Sequence, residues 1–173
     1  MIIVSNSIPF EIISDLDWII NNQEGGWKLI SIPGDNDGGW TYAGVTHKNF
    51  AETAYARFTY QEMEKLISTE TGTAILRTIV YHIYKQNTII PSEIIELKLS
   101  PELQLQYLSC AINCGPRTAY DMLKSIPNVE TAEIDETAFF KAWIKYYIKL
   151  CEENPEKLKF LAGWINRVLE TLP

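Results

Sequence analysis

Residues 21 to 47 read NNQEGGWKLISIPGDNDGGWTYAGVTH, and this stretch holds the side chains best suited to chemistry. Glu24 stands directly before Gly25-Gly26, Asp35 and Asp37 stand before Gly38-Gly39, and Thr41 follows shortly after. Two carboxyl groups on neighbouring turns are what cleavage of a glycosidic bond commonly needs. One gives its proton to the leaving oxygen, and the other serves a water or the developing sugar cation. Glu24 is the candidate acid, with Trp27 close by to exclude water. Asp35 or Asp37 is the candidate second group, and Thr41 is placed to hold a water. Trp27, Trp40 and Tyr42 are candidates to line a substrate groove. The same residues have a plain structural reading: a Glu before Gly-Gly is a common helix exit, and Asp-Asn-Asp-Gly-Gly is a common turn.

The elements that must position these residues follow from the surrounding pattern. After Pro9, the residues Phe10, Ile13, Leu16, Trp18, Ile19 and Ile20 recur at helical spacing, with Ser7 as the expected cap. Gly25-Gly26 ends that helix, because glycine accepts the left-handed conformation past a helix C-terminus. Glu24 is then its last side chain. Turn signals at Pro33-Gly34, Asp35-Asn36 and Gly38-Gly39 separate WKLISI from WTYAGVTH, two short strands of a hairpin. From about Lys48 onward, apolar stripes of helical period run almost to the end. They lie in FAETAYARFTYQEMEKLIS, TAILRTIVYHIYKQ, SPELQLQYLSCAINC, RTAYDMLKSI, ETAFFKAWIKYYIKLCEEN and PEKLKFLAGWINRVLETL. Breakers are expected at Thr71-Gly72, Pro91, Gly115-Pro116, Pro127 and Pro155. The predicted fold is mainly α, a helical domain with a small β-hairpin near the N-terminus, and this architecture resembles that of lysozymes.

Composition narrows the classes of function. A chain of 173 residues, 46% hydrophobic and 21% charged, suits a single globular domain. Five Trp and nine Tyr favour surfaces that stack on flat or sugar-like ligands as well as a core of large residues. A net charge of −7 without a basic block argues against nucleic acid as a partner. No hydrophobic run approaches the ~20 residues of a membrane-spanning helix, so no stable membrane insertion is expected. The start, MIIVSNSIPFEIISDLD, has no basic leader and carries acids where an apolar stretch should run, so a cytoplasmic chain without a secretion signal is expected. Cys110, Cys114 and Cys151 are odd in number and lack paired Cys-x-x-Cys spacing, which predicts reduced, structural thiols. Cys110 and Cys114 share a helix face, but with only two His in the chain no metal site is expected, nor any cofactor. His47 and His82 read as a hairpin-end residue and an ordinary helix residue.

QEGGWKLISIPGDNDGGWTYAGVTHKNF resembles the start of the glycoside hydrolase family 108 lysozymes, muramidases once labelled secretion activators. The resemblance is carried by Glu24-Gly25-Gly26-Trp27, then the acidic turn from Asp35 to Gly39, Thr41, and Gly44-Val45. YLSCAINCGPRTAYDMLKSI is similar to the family's Asn-x-Gly-Pro helix junction, through Asn113, Gly115, Pro116 and Ala119. KFLAGWINRVLETL is similar to its C-terminal ending, through Phe160, Leu161, Gly163, Trp164, Asn166, Arg167 and Val168. Three matches in order cover about the whole chain. They imply a catalytic part over residues 1–115 and a peptidoglycan-binding region over about 116–173, within one lysozyme-like domain.

The resemblance implies an N-acetylmuramidase that cuts the β-1,4 bond between N-acetylmuramic acid and N-acetylglucosamine, with Glu24 as the acid. Its partner would be the glycan strands of peptidoglycan, met as a monomer. Tyr81 and Tyr84 lie where the family tends to carry aromatics lining the cleft, and Tyr84 and Asn113 join the candidate substrate-binding residues. The context implied is a phage or prophage endolysin held in the cytoplasm until release to the wall. The alternative is a lysozyme-like protein of a phage particle or secretion apparatus that grips peptidoglycan without cutting it. Three departures stand out. Asn36 occupies the family's usual Asp position, an extra residue lies between Thr41 and Gly44 where a bulge is expected, and Ser109 replaces an Asp. The negative net charge is a fourth, since attraction to a polyanionic wall favours basic enzymes.

Overall fold

The computed structural model describes residues 8–31, 39–127 and 136–172. The fold is mainly α, with a small antiparallel sheet near the N-terminus. The chain divides into two compact units, residues 16–88 and residues 1–15 with 89–173. The division falls inside the first helix, α1 (Phe10–Asn22), and at 88/89 rather than at the 115/116 boundary expected from sequence. No helix among the described residues is long and apolar enough to cross a membrane.

Residues 16–88 hold the sheet. Strand β1 (Leu29–Ser31) pairs antiparallel with β2 (Trp40–Tyr42), which pairs with β3 (Val45–Thr46). WTYAGVTH, expected as one strand, is therefore itself a hairpin, and the sheet has three strands. The reason is local: Ala43 and Gly44 have φ of 51° and 76°, the paired positive values of a two-residue type I′ turn. The extra residue after Thr41, expected to make a bulge, is the first of that turning pair. Helices α2 (His47–Thr53), α3 (Tyr60–Ile67) and α4 (Glu70–Tyr84) follow, and a π-helical turn at Lys85–Ile89 closes α4. FAETAYARFTYQEMEKLIS is broken because Thr59 and Glu62 form a capping box that starts α3 afresh. Thr71-Gly72, expected as a breaker, lies within the first turn of α4, where Thr69 caps the Gly72 N–H. A β-carbon on Gly72 would collide with the Leu66 carbonyl, so the glycine serves close packing of α3 against α4. Leu16, Ile19, Ile20, Phe50, Met63, Leu76 and Val80 form the core of this unit. Ser7, the expected cap of α1, lies outside the described residues, and Phe10 is exposed rather than buried.

In the other unit α5 (Pro101–Cys114), α6 (Pro116–Lys124), α7 (Glu136–Glu153) and α8 (Leu158–Glu170) pack in sequence, with a short 3-10 turn at Pro155–Lys157 before α8. Gly115, with φ of 94°, makes the sharp junction between α5 and α6 that Gly115-Pro116 predicts. The core is an aromatic ladder. Tyr107, Phe139, Trp143 and Tyr147 follow one another at centroid spacings of 5.9, 6.4 and 6.1 Å, and Trp164 stacks on Tyr147 at 5.0 Å.

Candidate active site at the exit of the first helix

Glu24 owes its position to backbone geometry. Beyond Asn22, the turn that follows α1 is tied back to it, with Glu24 N–H donating to Ile19 O at 3.1 Å and Gly26 N–H donating to Ile20 O at 2.8 Å. Gly25 and Gly26 both have φ of 80°, so the chain reverses there without steric cost. The first Gly-Gly pair makes the expected reversal, but α1 itself ends at Asn22, so Glu24 lies in the turn beyond the helix rather than as its last side chain. The reversal lays the Glu24 side chain on the β2–β3 turn. A β-carbon built on Gly44 would stand 2.6 Å from Glu24 Oε2, 2.8 Å from Glu24 Cβ and 2.8 Å from Tyr84 Oη. Carboxyl and phenol therefore converge on the bare α-carbon of Gly44.

Tyr84 fixes the other side of this seat. It is 6% exposed, and its hydroxyl donates to Ala43 O at 3.0 Å. Ala43 is 1% exposed and sits at a positive φ that L-residues seldom adopt, so the phenol helps hold a strained turn. Tyr84, expected to support a sugar, is instead a buried strut beneath Glu24.

Strand alternation separates the remaining candidates. Trp40 and Tyr42 point to one face of β2 and are 2% exposed each, so they are core residues rather than an open lining. Trp40 donates its indole N–H to Phe58 O at 3.0 Å and packs edge-on against Phe50. Burial pushes the Tyr42 phenol above its ordinary range, against the pull of Arg77. Thr41 points to the opposite face, half-buried, and its strand partners are Ile30 and Thr46. Asp35 and Asp37, the candidates for the second carboxyl, lie outside the described residues.

Trp27 lies just beyond Gly26, half-buried, and meets Tyr42 and Tyr81 edge-on at centroid distances of 6.0 and 5.7 Å. The Arg77 guanidinium stands 4.6 Å over its ring. Tyr81 donates its hydroxyl to Asp17 at 2.7 Å, and burial, reinforced by that aspartate, pushes the phenol up to about 12. Sequence reading missed Arg77. Its only signal is its place three residues after Ala74 on the face that also carries Tyr81, and that spacing becomes meaningful only once Trp27 is located.

Asn113 belongs to the other unit. Its side-chain oxygen accepts from the Tyr147 hydroxyl, and that ring stacks on Trp164, so residues from two of the stretches singled out in the sequence meet on one tyrosine. Beside them Cys114 has a polar setting that the apolar neighbours of its helix do not announce. Trp143 Nε1 donates to its sulfur at 3.3 Å, and Tyr147 Oη lies 3.4 Å away. Cys110 is fully buried, 3.8 Å from the Met122 sulfur. Among the described residues, no group of His, Cys, Asp and Glu is arranged to hold a metal ion.

The fold and site define a mainly α protein with a three-stranded sheet and a glutamate anchored at a helix exit. Comparison with protein-family models, curated proteins and solved structures finds no match to this chain.

Proposed function

We propose that this chain is a peptidoglycan hydrolase, an N-acetylmuramidase that cleaves the β-1,4 bond between N-acetylmuramic acid and N-acetylglucosamine. The observation that carries this reading is the seat of Glu24, held by the double-glycine helix exit on one side and by the Ala43-Gly44 turn and Tyr84 on the other. A general acid works only within hydrogen-bond range of the atom it protonates, so a carboxyl fixed by rigid elements gains over one on a loose loop.

Glu24 gives its proton to the glycosidic oxygen as the bond to the anomeric carbon breaks, and the bonding pair leaves with that oxygen. Water then supplies the hydroxyl at the anomeric carbon and passes its remaining proton to a carboxylate. Asp35 or Asp37 takes that second role, and Thr41 orients the water. The chemistry needs carboxyl groups and water alone.

The experiment compares wild type with Glu24→Gln on purified peptidoglycan, counting new reducing ends. Wild type is expected to release them, with muramic acid at the new end by mass spectrometry, and the variant to lose at least a hundredfold in rate, about the contribution of a positioned acid. Equal, negligible release by both proteins, with retained co-sedimentation on the wall, would make the chain a glycan-binding protein instead.

A further inference from the structure

At the end of the β2–β3 hairpin away from Gly44 lies a cleft of about 410 Å³. Its walls are Trp40, His47, Arg57, Phe58, Tyr60 and Gln61, with Thr59 between them. That volume is within the range of small-molecule sites, roughly 300–1,000 Å³. We propose that this cleft binds a carboxylate-bearing saccharide, with Arg57 as the residue that recognises the carboxylate.

The cation is what distinguishes this cleft. Among the residues that line it, Arg57 is the one Lys or Arg, whereas Lys48 of the same unit pairs with Glu52 at 3.7 Å and Arg77 covers Trp27 at 4.6 Å. Arg57 is exposed and makes no hydrogen bond or ion pair among the described residues. A guanidinium presents its donors in a planar fork that matches a carboxylate in two-point fashion. The neighbouring carboxyl of Glu62 is occupied, accepting from Thr59 N at 2.7 Å and Thr59 Oγ1 at 2.9 Å.

The remaining walls suit a sugar. Trp40 is 2% exposed and spends its indole N–H on Phe58 O, so it backs the cleft floor without offering a contact surface. Phe58 and Tyr60 add aromatic surface for the C–H faces of a pyranose, and Gln61 adds an amide for its hydroxyls. The site also lies on the element that seats Glu24. Trp40 and Gly44 lie on the same β2–β3 hairpin, on either side of Thr41 and Tyr42. A glycan running along this hairpin would meet the acid at one end and Arg57 at the other. This inference rests on the muramidase reading for its choice of saccharide, because muramic acid carries a lactyl carboxyl that N-acetylglucosamine lacks.

The test measures binding calorimetrically with Glu24→Gln, which halts turnover, alone and combined with Arg57→Gln. Three soluble tetrasaccharides serve as probes: one alternating N-acetylglucosamine and N-acetylmuramic acid, one of N-acetylglucosamine only, and a muropeptide whose lactyl carboxyl is amide-bonded to its stem. The expected result is about tenfold tighter binding of the carboxylate-bearing glycan than of the neutral one, a preference that Arg57→Gln abolishes. Preference for the muropeptide, likewise lost with Arg57, would assign the carboxylate to the stem peptide. Equal affinity for all three, or a preference that survives Arg57→Gln, overturns the proposal. Reducing-end release separates the two claims. Turnover by wild type without an Arg57-dependent preference removes the cleft alone, whereas that preference without turnover removes the muramidase reading and leaves the cleft.

Discussion

The carboxyl of Glu24 rests on the unsubstituted α-carbon of Gly44, with Oε2 2.6 Å from where a β-carbon would stand. Residues twenty apart in sequence thus share one van der Waals contact that no side chain at 44 would permit. Gly44→Ala is expected to act twice. It places a methyl against both Glu24 and Tyr84, and it forces an L-residue to a φ of 76°. Strain of this kind costs on the order of 1–3 kcal/mol, read as a lower midpoint in urea unfolding. Turnover on peptidoglycan should fall further than stability explains, because the displaced group is the proposed acid. Wild-type turnover in a folded Gly44→Ala protein would remove Glu24 from the acid role.

Tyr84→Phe separates a strut from a sugar platform. The phenol is buried and bonds to Ala43 O, so its loss leaves a carbonyl without its partner and costs about 1–3 kcal/mol. A strut beneath Glu24 predicts lower kcat with little change in KM. A sugar-binding tyrosine predicts the reverse, with KM raised and kcat preserved, and that outcome would return Tyr84 to the role first expected for it.

Much of this architecture is legible in the sequence, and the failures have physical causes. Helical period, Gly25-Gly26 and Gly115-Pro116 are local signals: the chain reverses at Gly25-Gly26 just after α1 ends at Asn22, and α5 gives way to α6 at Gly115-Pro116. The hairpin inside WTYAGVTH is concealed because Ala43 takes a positive φ usually given to Asn or Gly, a choice supported by the distant Tyr84 hydroxyl. Trp40 and Tyr42 look like groove residues because aromatics are common in binding sites, yet alternation on β2 sends both into the core. Glu24 is recognisable from its Gly-Gly exit, but Gly44 beneath it and Arg77 over Trp27 emerge only from tertiary contact.

The Trp27 cluster yields a graded stability prediction. Arg77→Met keeps an apolar stem but removes the charge over the indole, at a cost of about 0.5–1 kcal/mol. Trp27→Ala also removes the edge contacts to Tyr42 and Tyr81, and for this half-buried ring should cost roughly 2 kcal/mol, below the range for a fully buried Trp. Urea unfolding of the two single variants and the double variant gives the coupling directly. Strict additivity would mean that the guanidinium and the indole do not interact.

Cys114 provides the pH-dependent prediction. Its sulfur is held down from 9.0 to about 7, first by its interaction with Cys110, against the opposing effect of burial, and further by its contact with the Tyr147 hydroxyl, the N–H donated by Trp143 and the charge of Arg167. Cys110 moves oppositely, pushed up chiefly by its own burial. A depressed folded-state value means that the unfolded chain binds more protons between about 7 and 9. The contribution of Cys114 is therefore fully present above the unfolded value and is lost as pH falls through about 7. The stability gap between wild type and Cys114→Ser should widen from pH 7 towards 9, and iodoacetamide should label Cys114 with a midpoint of about 7 while Cys110 and Cys151 stay protected by burial. Trp143→Phe removes one donor and should move that midpoint upward. A labelling midpoint at or above the roughly 8.5 of a free thiol would show that these donors do not stabilise the thiolate.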